Sequence, residues 1–445
     1  MDQKTLFLNT SPTRLFVKAA LPGSVGMLAS SLYQLLDGIF VGQLLGGEAF
    51  AAINLAMPLV IINFAISDLI GVGSSVPISV RLGEKRPEEA NNIFTCACLM
   101  VVAQGVLVGT LLYMAAPFLL RLMGAEGALL EMATQYIRVY AVSSPVTGMM
   151  YAVDNYLRIC GRIKTSMMLN VAMSVLCALG EFIMLAVLRV GVWGAAFGAC
   201  SGMVLCVLTA MWPFIRGEMA LQFRRPRFTW RIIRQIVTCG TPTFLNNIAG
   251  RVTSILMNTV LLRVGGAAAV SVYGILMYAD GIVMQFLYGM CDSLQPAVGY
   301  NWGAGRRDRV LAIEKRCFLA AAVLSVLASM VLFAFPGQLT RLFMSDSEPE
   351  VYAMAVPALR LFCLTYLTRW ISFATQSFMS AVEKPVQASL LSISTALVFP
   401  VLLIAALWPF GLSGLWFNMS GTALLAAAVA VLVLLDFRRR YWKKT

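Results

Sequence analysis

The sequence contains no histidine and carries very little charge. Only 12% of its 445 residues are Asp, Glu, Lys or Arg, whereas a soluble domain averages about 25%. Together with a hydrophobic share of 59%, this excludes a soluble globular protein and indicates an integral membrane protein. The absence of histidine removes the usual general base, the commonest metal ligand and the usual near-neutral proton carrier. Any proton coupling must therefore use carboxylates.

The ten cysteines also lack the spacing of a metal site. Cys96 and Cys98 form a lone CxC in an apolar segment, where the two side chains point to different sides of a helix. We therefore expect no metal site and no cofactor, and cysteines that serve as small apolar packing residues. The polar first 14 residues contain no signal-peptide pattern, so we expect the first spanning helix to direct insertion.

Hydropathy divides the chain into twelve apolar segments joined by short connections. Each segment can cross the bilayer as a helix, which takes about 20 residues. The segments lie near 15–45, 51–80, 92–118, 133–156, 166–188, 192–215, 236–262, 268–299, 317–336, 351–380, 386–408 and 412–435. The predicted fold class is an all-α integral membrane protein with twelve transmembrane helices.

Lysine and arginine are distributed unevenly over the connections. With the N-terminus in the cytoplasm, 26 of the 34 basic residues fall on the inner side and only four in outer loops. This asymmetry predicts a multi-pass protein of the cytoplasmic membrane with both termini inside. We interpret the basic runs as anchors at the lipid headgroups. Because the net charge of +13 follows this topology, it does not indicate nucleic-acid binding.

The chain repeats itself at an offset of 219–220 residues. The recurring pairs include Pro22 and Pro242, Pro77 and Pro296, Pro117 and Pro336, and Gly191 and Gly411. Because each half holds six segments, both halves point the same way across the membrane. The pattern predicts two six-helix lobes, residues 1–225 and 226–445, related by a pseudo-two-fold axis along the membrane normal. A central cleft between the lobes is expected.

Asp37 lies deep inside the first apolar segment. A charge at mid-membrane costs at least about 2.5–3.5 kcal/mol on insertion scales, and a chain that keeps one generally turns it toward an interior and uses it. We interpret Asp37 as a cation or proton site of a transporter. The alternative is a buried acid held by the neighbouring hydroxyls of Ser30, Ser31 and Tyr33.

Five further acids lie inside the predicted spans, and they are Asp68, Asp154, Glu181, Asp280 and Asp292. Asp154 lies near the cytoplasmic end of its span, where a role at headgroup level is an equal alternative. Asp37, Asp68, Glu181 and Asp292 lie deeper and are the stronger candidates. Neighbouring carboxylates of this kind could load and release a proton or hold a hard cation through oxygen ligands.

Arg251 is the deepest basic residue, and two interpretations stay open for it. It either pairs with Asp280 or Asp292, or extends toward the inner face with its charge in the headgroup region. Methionine and aromatic walls suit promiscuous binding of apolar ligands, although any single such residue equally serves ordinary packing. The candidate substrate-cleft residues are Asp292, Asp280, Arg251, Asn246, Asn247, Tyr33, Gln34, Met57, Met277, Tyr278 and Met284.

Several stretches resemble the MATE (multidrug and toxin extrusion) transporters, in particular their bacterial multidrug-efflux branch of NorM- and DinF-like proteins. They are LDGIFVGQLLGGEAFAAINLAMP, GVGSSVPISVRLGEKRPEEA, DNYLRICGR, GGAAAVSVYGILMYADG and LQPAVGYNWGAGRRDRV. Each stretch alone is weak, but their combination covers nearly the whole chain. The resemblance implies twelve helices in two lobes, alternating access, and export of amphipathic, often cationic compounds driven by an inward proton or sodium gradient.

The resemblance can be carried over to the cation site residue by residue. Asp37 matches the acid of the first helix, and Glu181 falls where the fifth helix of the family usually has Asp. Cys177 and Ala199 stand where the family has Asn and Thr, so two oxygen ligands are missing here. This favours protons over sodium as the coupling ion.

Two further positions follow from the same resemblance. Asp154 or Asn155 occupies the polar position of the fourth helix and completes our candidate coupling set with Asp37, Glu181 and Asp68. Asp292 stands where some members carry a Glu proposed to meet cationic drugs.

We therefore predict a secondary active exporter that exchanges small amphipathic organic cations for protons, or for sodium, by alternating access. A monomer in the lipid bilayer suffices for this task. One alternative is a flippase or exporter of a lipid-linked or other specific metabolite, which would favour a cationic cavity; the deep acids outnumber the deep bases. A channel is a second alternative. An enzyme is not expected, because no nucleophile motif or metal spacing is present.

Overall fold

The computed structural model describes residues 4–343 and 349–441. Every regular element in this part of the chain is helical. The first half contains the helices α1 (Pro12–Leu44), α2 (Gly47–Gly83), α3 (Pro87–Leu122), α4 (Gly127–Thr147), α5 (Met149–Ile159), α6 (Ile163–Phe182) and α7 (Val192–Ile215). A short π-helical turn precedes α1 at Thr5–Asn9, and another extends α6 at Ile183–Val187.

The second half is also helical, and the long element at its start covers two successive helices that Gly266 separates. Its helices are α8 (Trp230–Gly303), α9 (Arg307–Ala334), α10 (Pro336–Phe343), α11 (Pro349–Phe362), α12 (Thr365–Ala381), α13 (Pro385–Ile393), α14 (Phe399–Leu407) and α15 (Gly411–Tyr441). A π-helical turn at Ser394–Val398 joins α13 to α14, and a 3-10 turn at Trp408–Phe410 follows α14. Gly266 breaks α8 into two arms with a φ of 66°, a backbone conformation that favours glycine.

All twelve predicted apolar segments are helical in the structure. By length and composition alone, eight helices of the described residues are able to cross a membrane, or nine if the bent pair Pro349–Phe362 and Thr365–Ala381 is one span. Two of the eight, Trp230–Gly303 and the stretch Pro385–Tyr441, each contain two predicted segments. The remaining predicted segment is covered by α4 and α5, which follow one another at Gly148.

The chain divides into two compact units, which are Met1–Gly240 with Gly299–Arg307, and Thr241–Val298 with Asp308–Thr445. These units follow the predicted lobes except at α8, whose two ends belong to the first unit. The predicted boundary at residues 225 and 226 stays a prediction.

Close backbone crossings explain why the last turns of α8 belong to the first unit. A Cβ atom built on Gly83 would lie on the carbonyl oxygen of Tyr300, and one built on Gly303 would lie on the carbonyl oxygen of Val80. Gly83 and Gly303 are one repeat offset apart, as are Val80 and Tyr300. Only glycine permits this approach, so the repeated glycines set the packing of α2 against the end of α8.

The residues before α1 also pack against this crossing. Phe7 is almost fully buried, and its ring contacts the ring of Tyr300 at a centroid distance of 5.6 Å. The Asn301 Nδ2 donates a hydrogen bond of 3.1 Å to the carbonyl oxygen of Phe7. The N-terminal turn is thus a packed part of the first unit.

Candidate functional site

A predicted cleft residue, Tyr33, and a predicted coupling residue, Glu181, meet inside the first unit. The Tyr33 hydroxyl, on α1, donates a hydrogen bond of 2.7 Å to Glu181 Oε1, near the end of α6. Glu181 is 1% exposed, and its second oxygen, Oε2, has no hydrogen-bond partner among the described residues. A buried carboxylate oxygen without a donor is costly, and it is the atom that a proton or a bound cation would satisfy.

Asp37 lies one helical turn after Tyr33 and on the same face of α1. Its carboxyl group is within hydrogen-bonding reach of the Glu181 carboxyl. Two carboxyls this close cannot both carry a full charge without a cation or a shared proton between them. The structure therefore brings Tyr33, Asp37 and Glu181 into one cluster, which we call the lobe-1 acid cluster.

The alternative for Asp37 involved the hydroxyls near it in the sequence. Ser30 Oγ donates to the carbonyl oxygen of Gly26 and Ser31 Oγ to that of Met27, each at 3.3 Å. The Tyr33 hydroxyl donates to Glu181 instead. The alternative in which these hydroxyls hold Asp37 does not agree with these bonds, because the serines bond to the preceding turn of their own helix.

Glycines place Glu181 deep between α6 and α7. A Cβ atom on Gly198 would lie 2.5 Å from the carbonyl carbon of Gly180 and 2.7 Å from the Cα of Glu181. The helix then changes to a π-helical turn at Ile183–Val187, directly after the acid. Such π-bulges are frequent at functional sites. The sequence around Glu181 thus sets both the depth and the direction of this side chain.

Two positions beside the lobe-1 acid cluster supply no side-chain oxygen. Cys177 lies one turn before Glu181, and its thiol contacts the carbonyl oxygen of Ala199 at 3.2 Å. Hard cations prefer several oxygen ligands, whereas these two positions offer sulfur and methyl groups. No group of three or more Cys, Asp or Glu able to hold a metal ion is present in the described part of the chain.

Two tyrosines that the sequence analysis did not single out border the cluster. Tyr136 and Tyr140, on α4, are both buried, and their rings contact each other at 5.1 Å. The Tyr136 hydroxyl contacts the Met57 sulfur at 3.7 Å, which places this candidate cleft residue beside them. Their spacing of one helical turn was the available signal, because it puts both rings on one face of α4.

Asp154 occupies a different environment from the lobe-1 acid cluster. Its Oδ2 pairs with Arg158 Nη2 at 2.6 Å, and its Oδ1 accepts a hydrogen bond of 2.8 Å from Asn170 Nδ2. Ser166 also donates to Oδ1. Every oxygen of this carboxylate therefore has a donor from its own unit, which is the arrangement of a structural ion pair.

The two other coupling candidates of the first lobe, Asn155 on α5 and Asp68 on α2, lie on other helices than Glu181. Asn155 Nδ2 donates to the carbonyl oxygen of Tyr151 at 2.9 Å, within its own helix. Asp68 is half-buried on α2. A buried amide and hydroxyl network, which the sequence analysis missed, lies near it. It joins Asn63, Ser67, Gln104 and Ser144 at 2.8–3.2 Å.

In the second unit, Asp280 has a basic partner that the sequence analysis did not predict. Arg369 Nη1 and the Tyr366 hydroxyl both approach its Oδ1, at 2.7 and 2.8 Å. The side chains of Arg369 and Asp280 are 21% and 13% exposed. Of the two interpretations of Arg251, pairing with Asp280 or Asp292 does not agree with the structure, because Arg251 is exposed and forms no ion pair with a residue that the structure describes. Nothing in the spacing of 280 and 369 signals this pair.

Asp292 lies in a polar patch of the same unit. Gln295 Nε2 donates to its Oδ1 at 2.8 Å, and Ser377 Oγ approaches the same oxygen at 3.1 Å. Near it, Asn246 Nδ2 donates to the Tyr288 hydroxyl at 2.7 Å. The predicted cleft residues Asp292 and Asn246 therefore share a polar region with Tyr288, which the sequence analysis had not chosen.

The remaining cleft candidates differ in exposure. Tyr278 and Gln34 are exposed, Asn247 and Met277 are half-buried, and Met284 is buried. The structure thus groups the acids of the two units into an acid–tyrosine cluster in the first and an acid–arginine pair beside a polar patch in the second.

A polytopic helical membrane protein with buried acids of this kind has the organisation of a membrane transporter. The MatE family model matches residues 22–183 and 242–405, and the chain accordingly belongs to this family of MATE transporters. Members of the family are transporters and not enzymes, as predicted. The resemblance found in the sequence is thereby confirmed, and the two matched ranges follow the internal repeat.

Curated relatives match over nearly the whole chain. The Multidrug export protein MepA of Staphylococcus saprophyticus is 25% identical over 443 residues, with 99% of this chain and 97% of that protein covered. The Multidrug export protein MepA of Staphylococcus aureus (strain MSSA476) is 24% identical over 446 residues, with the same coverage of 99% and 97%.

Solved structures share the fold. A crystal structure of MATE in complex with MaL6 has a TM-score of 0.93 and 24% identity, covering 100% of this chain and 99% of that one. A multidrug resistance MATE transporter in an outward-facing conformation has a TM-score of 0.93 and 23% identity, with coverage of 100% and 99%. The predicted all-helical, two-lobed fold with twelve helices is confirmed.

Proposed function

We propose that this protein exports amphipathic, often cationic organic compounds, in exchange for protons that bind to the lobe-1 acid cluster. The observation that carries the proposal is the buried Glu181 carboxyl, which has one donor in Tyr33, one acid neighbour in Asp37 and one oxygen without a partner. Such a group changes its bonding when it gains or loses a proton, and few structural roles require it. The names of the MepA relatives support the multidrug substrate class.

The cluster offers a simple change of bonding on protonation. With Glu181 ionised, the Tyr33 hydroxyl donates to it and satisfies one oxygen. With Glu181 protonated, its own O–H can donate to Asp37, and the two carboxyls then share a single negative charge. The hydrogen bonds between α1 and α6 therefore differ between the two states, so proton binding can favour one packing of this lobe over another.

Protons suit this cluster better than sodium. A sodium ion would need several oxygen ligands, and the neighbouring positions of Cys177 and Ala199 supply none from their side chains. A proton needs only the two carboxyls. Because both oxygens of Asp154 already have donors, we leave this residue out of the coupling step. We propose that Glu181, Asp37 and Tyr33 carry out this step.

For the substrate, the acids of the second unit support a cationic compound. Asp292 has polar partners in Gln295 and Ser377, beside the Asn246–Tyr288 pair. Asp280 is already neutralised by Arg369. We assign Asp292 as the group that attracts the substrate cation, and the exposed Tyr278 as a candidate aromatic contact. The proposed location is the cytoplasmic membrane with both termini inside.

Uptake of ethidium into inverted membrane vesicles tests the proposal, with proton and sodium gradients imposed separately. We expect proton-driven uptake in the wild type and its loss in Asp37→Asn and Glu181→Gln. Glu131→Gln is the matched control, because Glu131 is an exposed acid of α4 whose carboxyl accepts a hydrogen bond of 3.3 Å from Gln135. Sodium-driven uptake alone would overturn the choice of ion. If neither gradient drives uptake, the exporter proposal fails.

A further inference from the structure

The connection between α7 and α8 is an extended segment fastened to the start of α3. The backbone N–H of Gln222 donates to Asn91 Oδ1 at 2.9 Å, and that of Arg224 donates to Thr95 Oγ1 at 3.1 Å. Both acceptors lie one helical turn apart on α3. The backbone of the connection therefore follows the helix in register, and its path is fixed by side chains of α3 rather than by secondary structure of its own.

Asn92 adds a two-point attachment. Its Oδ1 accepts from the backbone N–H of Arg227 at 2.8 Å, and its Nδ2 donates to the carbonyl oxygen of the same residue at 3.1 Å. Apolar anchors complete the attachment. Leu221 is fully buried, and the Phe223 ring contacts the Phe94 ring at 4.8 Å. We call residues 221–230 the strap.

The outward side of the strap is strongly basic. Arg224, Arg225 and Arg227 are all exposed. None of them forms an ion pair with an acid in the part of the chain that the structure describes, and the one side-chain contact among them is that of Arg224 Nη2 with Gln222 Oε1 at 3.1 Å. Three guanidinium groups are thus held on a fixed backbone with most of their donors available.

Aromatic side chains continue this surface toward α8. Trp230 is 76% exposed and Phe228 is 48% exposed, immediately after the arginines. Large aromatic residues at the level where helices end are typical of the boundary between hydrocarbon and headgroups. Arginines beside them reach the phosphates while the rings enter the apolar edge. The strap therefore presents positive charge next to exposed aromatic rings, which is the combination that suits contact with a lipid surface.

We propose that the strap is a binding surface for the headgroups of anionic phospholipids. The planar guanidinium binds phosphate through two parallel hydrogen bonds. The net negative charge of the headgroup neutralises arginines that have no acidic partner in the described part of the chain. Because Asn91, Asn92 and Thr95 fix the backbone of the strap, only the arginine side chains, and not the backbone that carries them, need to be ordered at the moment of binding. The strap differs in this respect from a flexible basic tail, which attracts lipids by charge alone.

The test is a titration of the purified full chain in detergent with short-chain phosphatidylglycerol, followed by tryptophan fluorescence. Phosphatidylcholine and inorganic phosphate are titrated in parallel. Trp230→Phe shows which part of the signal comes from the strap, since the chain has 8 tryptophans. We expect phosphatidylglycerol to bind at least about tenfold more tightly than phosphatidylcholine, because each arginine near an anionic surface contributes about fivefold. Equal binding of the two lipids, or equal binding of free phosphate, would overturn the proposal.

Two variants separate a built site from general attraction by charge. The triple variant Arg224→Gln/Arg225→Gln/Arg227→Gln should lose on the order of a hundredfold in affinity at low salt. The matched control removes three arginines from the end of α15 at positions 438, 439 and 440, and it should bind as the wild type does. Asn92→Ala keeps every charge but frees the backbone at Arg227, and it should bind severalfold more weakly. An equal loss in the control, or no loss in Asn92→Ala, refutes a preformed site.

Discussion

Arg369 gives the sharpest prediction, because its role follows from one ion pair. Its guanidinium neutralises Asp280 at 2.7 Å, and both side chains are largely buried at 21% and 13% exposure. Arg369→Gln leaves Asp280 with the Tyr366 hydroxyl alone. Removing one partner of a buried ion pair costs about 3–5 kcal/mol, because an uncompensated charge stays in a poorly solvated place. The residual exposure favours the lower end, at about 3 kcal/mol.

The double variant decides whether the loss comes from the pair. Asp280→Asn should destabilise the protein for the same reason as Arg369→Gln, since it leaves the guanidinium unpaired. The double variant Asp280→Asn/Arg369→Gln carries two neutral amides and should recover at least about 2 kcal/mol of the summed losses, a coupling that neighbouring groups commonly show. Replacing a buried ion pair by neutral groups is often nearly neutral for stability.

The assay is the free energy of unfolding in mixed micelles for the four proteins of the cycle. Arg138→Gln is the matched control, because Arg138 is an exposed arginine of α4 that stacks on the Tyr113 ring at 4.9 Å. It should change the free energy by less than about 1 kcal/mol. Purely additive losses in the double variant would refute the idea that Arg369 and Asp280 stabilise the second unit as a pair.

Three further variants test the packing and bonding around the sites. Gly198→Ala should cost about 1–3 kcal/mol by overpacking at Glu181; it should lower both the thermal unfolding midpoint and ethidium uptake, and a protein unchanged in both would contradict the close crossing. Tyr33→Phe removes the donor to Glu181, so proton-driven uptake should fall severalfold and the free energy of unfolding should fall by about 1–3 kcal/mol, because a buried oxygen loses its donor; unchanged uptake would exclude Tyr33 from the coupling step. Arg158→Gln leaves Asp154 unpaired and should destabilise by about 3–5 kcal/mol, with recovery in the double variant with Asp154→Asn; a stable Arg158→Gln protein without driven uptake would instead assign Asp154 to coupling.

Much of the fold was predictable because apolar length and repeat position are local properties of the chain. The predicted segment near 92–118 became the helix Pro87–Leu122, and its ends extend past the apolar region since Glu88 and Glu89 favour a first turn. Other helices extend past their apolar segments in the same way, whereas the predicted segment 192–215 coincides with α7. The predicted segments near 236–262 and 268–299 are likewise two successive helices, because the non-helical backbone of Gly266 separates them within α8.

The candidate site was only partly predictable, because hydrogen-bond partners are far apart in the sequence. The deep positions of Asp37 and Glu181 in their apolar segments predict that they are functional, and the two side chains do meet. Depth alone did not reveal that Tyr33 donates to Glu181 across 148 positions. It also did not reveal the partner of Asp280, because nothing local in the sequence relates a carboxylate to Arg369. Intramembrane acids can thus be found from a sequence, whereas their states of pairing require the structure.

The internal repeat is found in the backbone packing but not in the buried acids and their partners. At either offset of 219 or 220, the positions that correspond to Asp37 and Glu181 in the second half hold apolar residues, and so do those that correspond to Asp280 and Arg369 in the first half. The glycine crossings near Gly303, by contrast, do repeat. Duplication therefore accounts for the packing of both halves, while the polar groups were placed in each half separately. Because the neighbouring carboxyls of Asp37 and Glu181 have no counterpart in the second half, we expect the proton-induced change of the proposed exchange to begin in the first lobe.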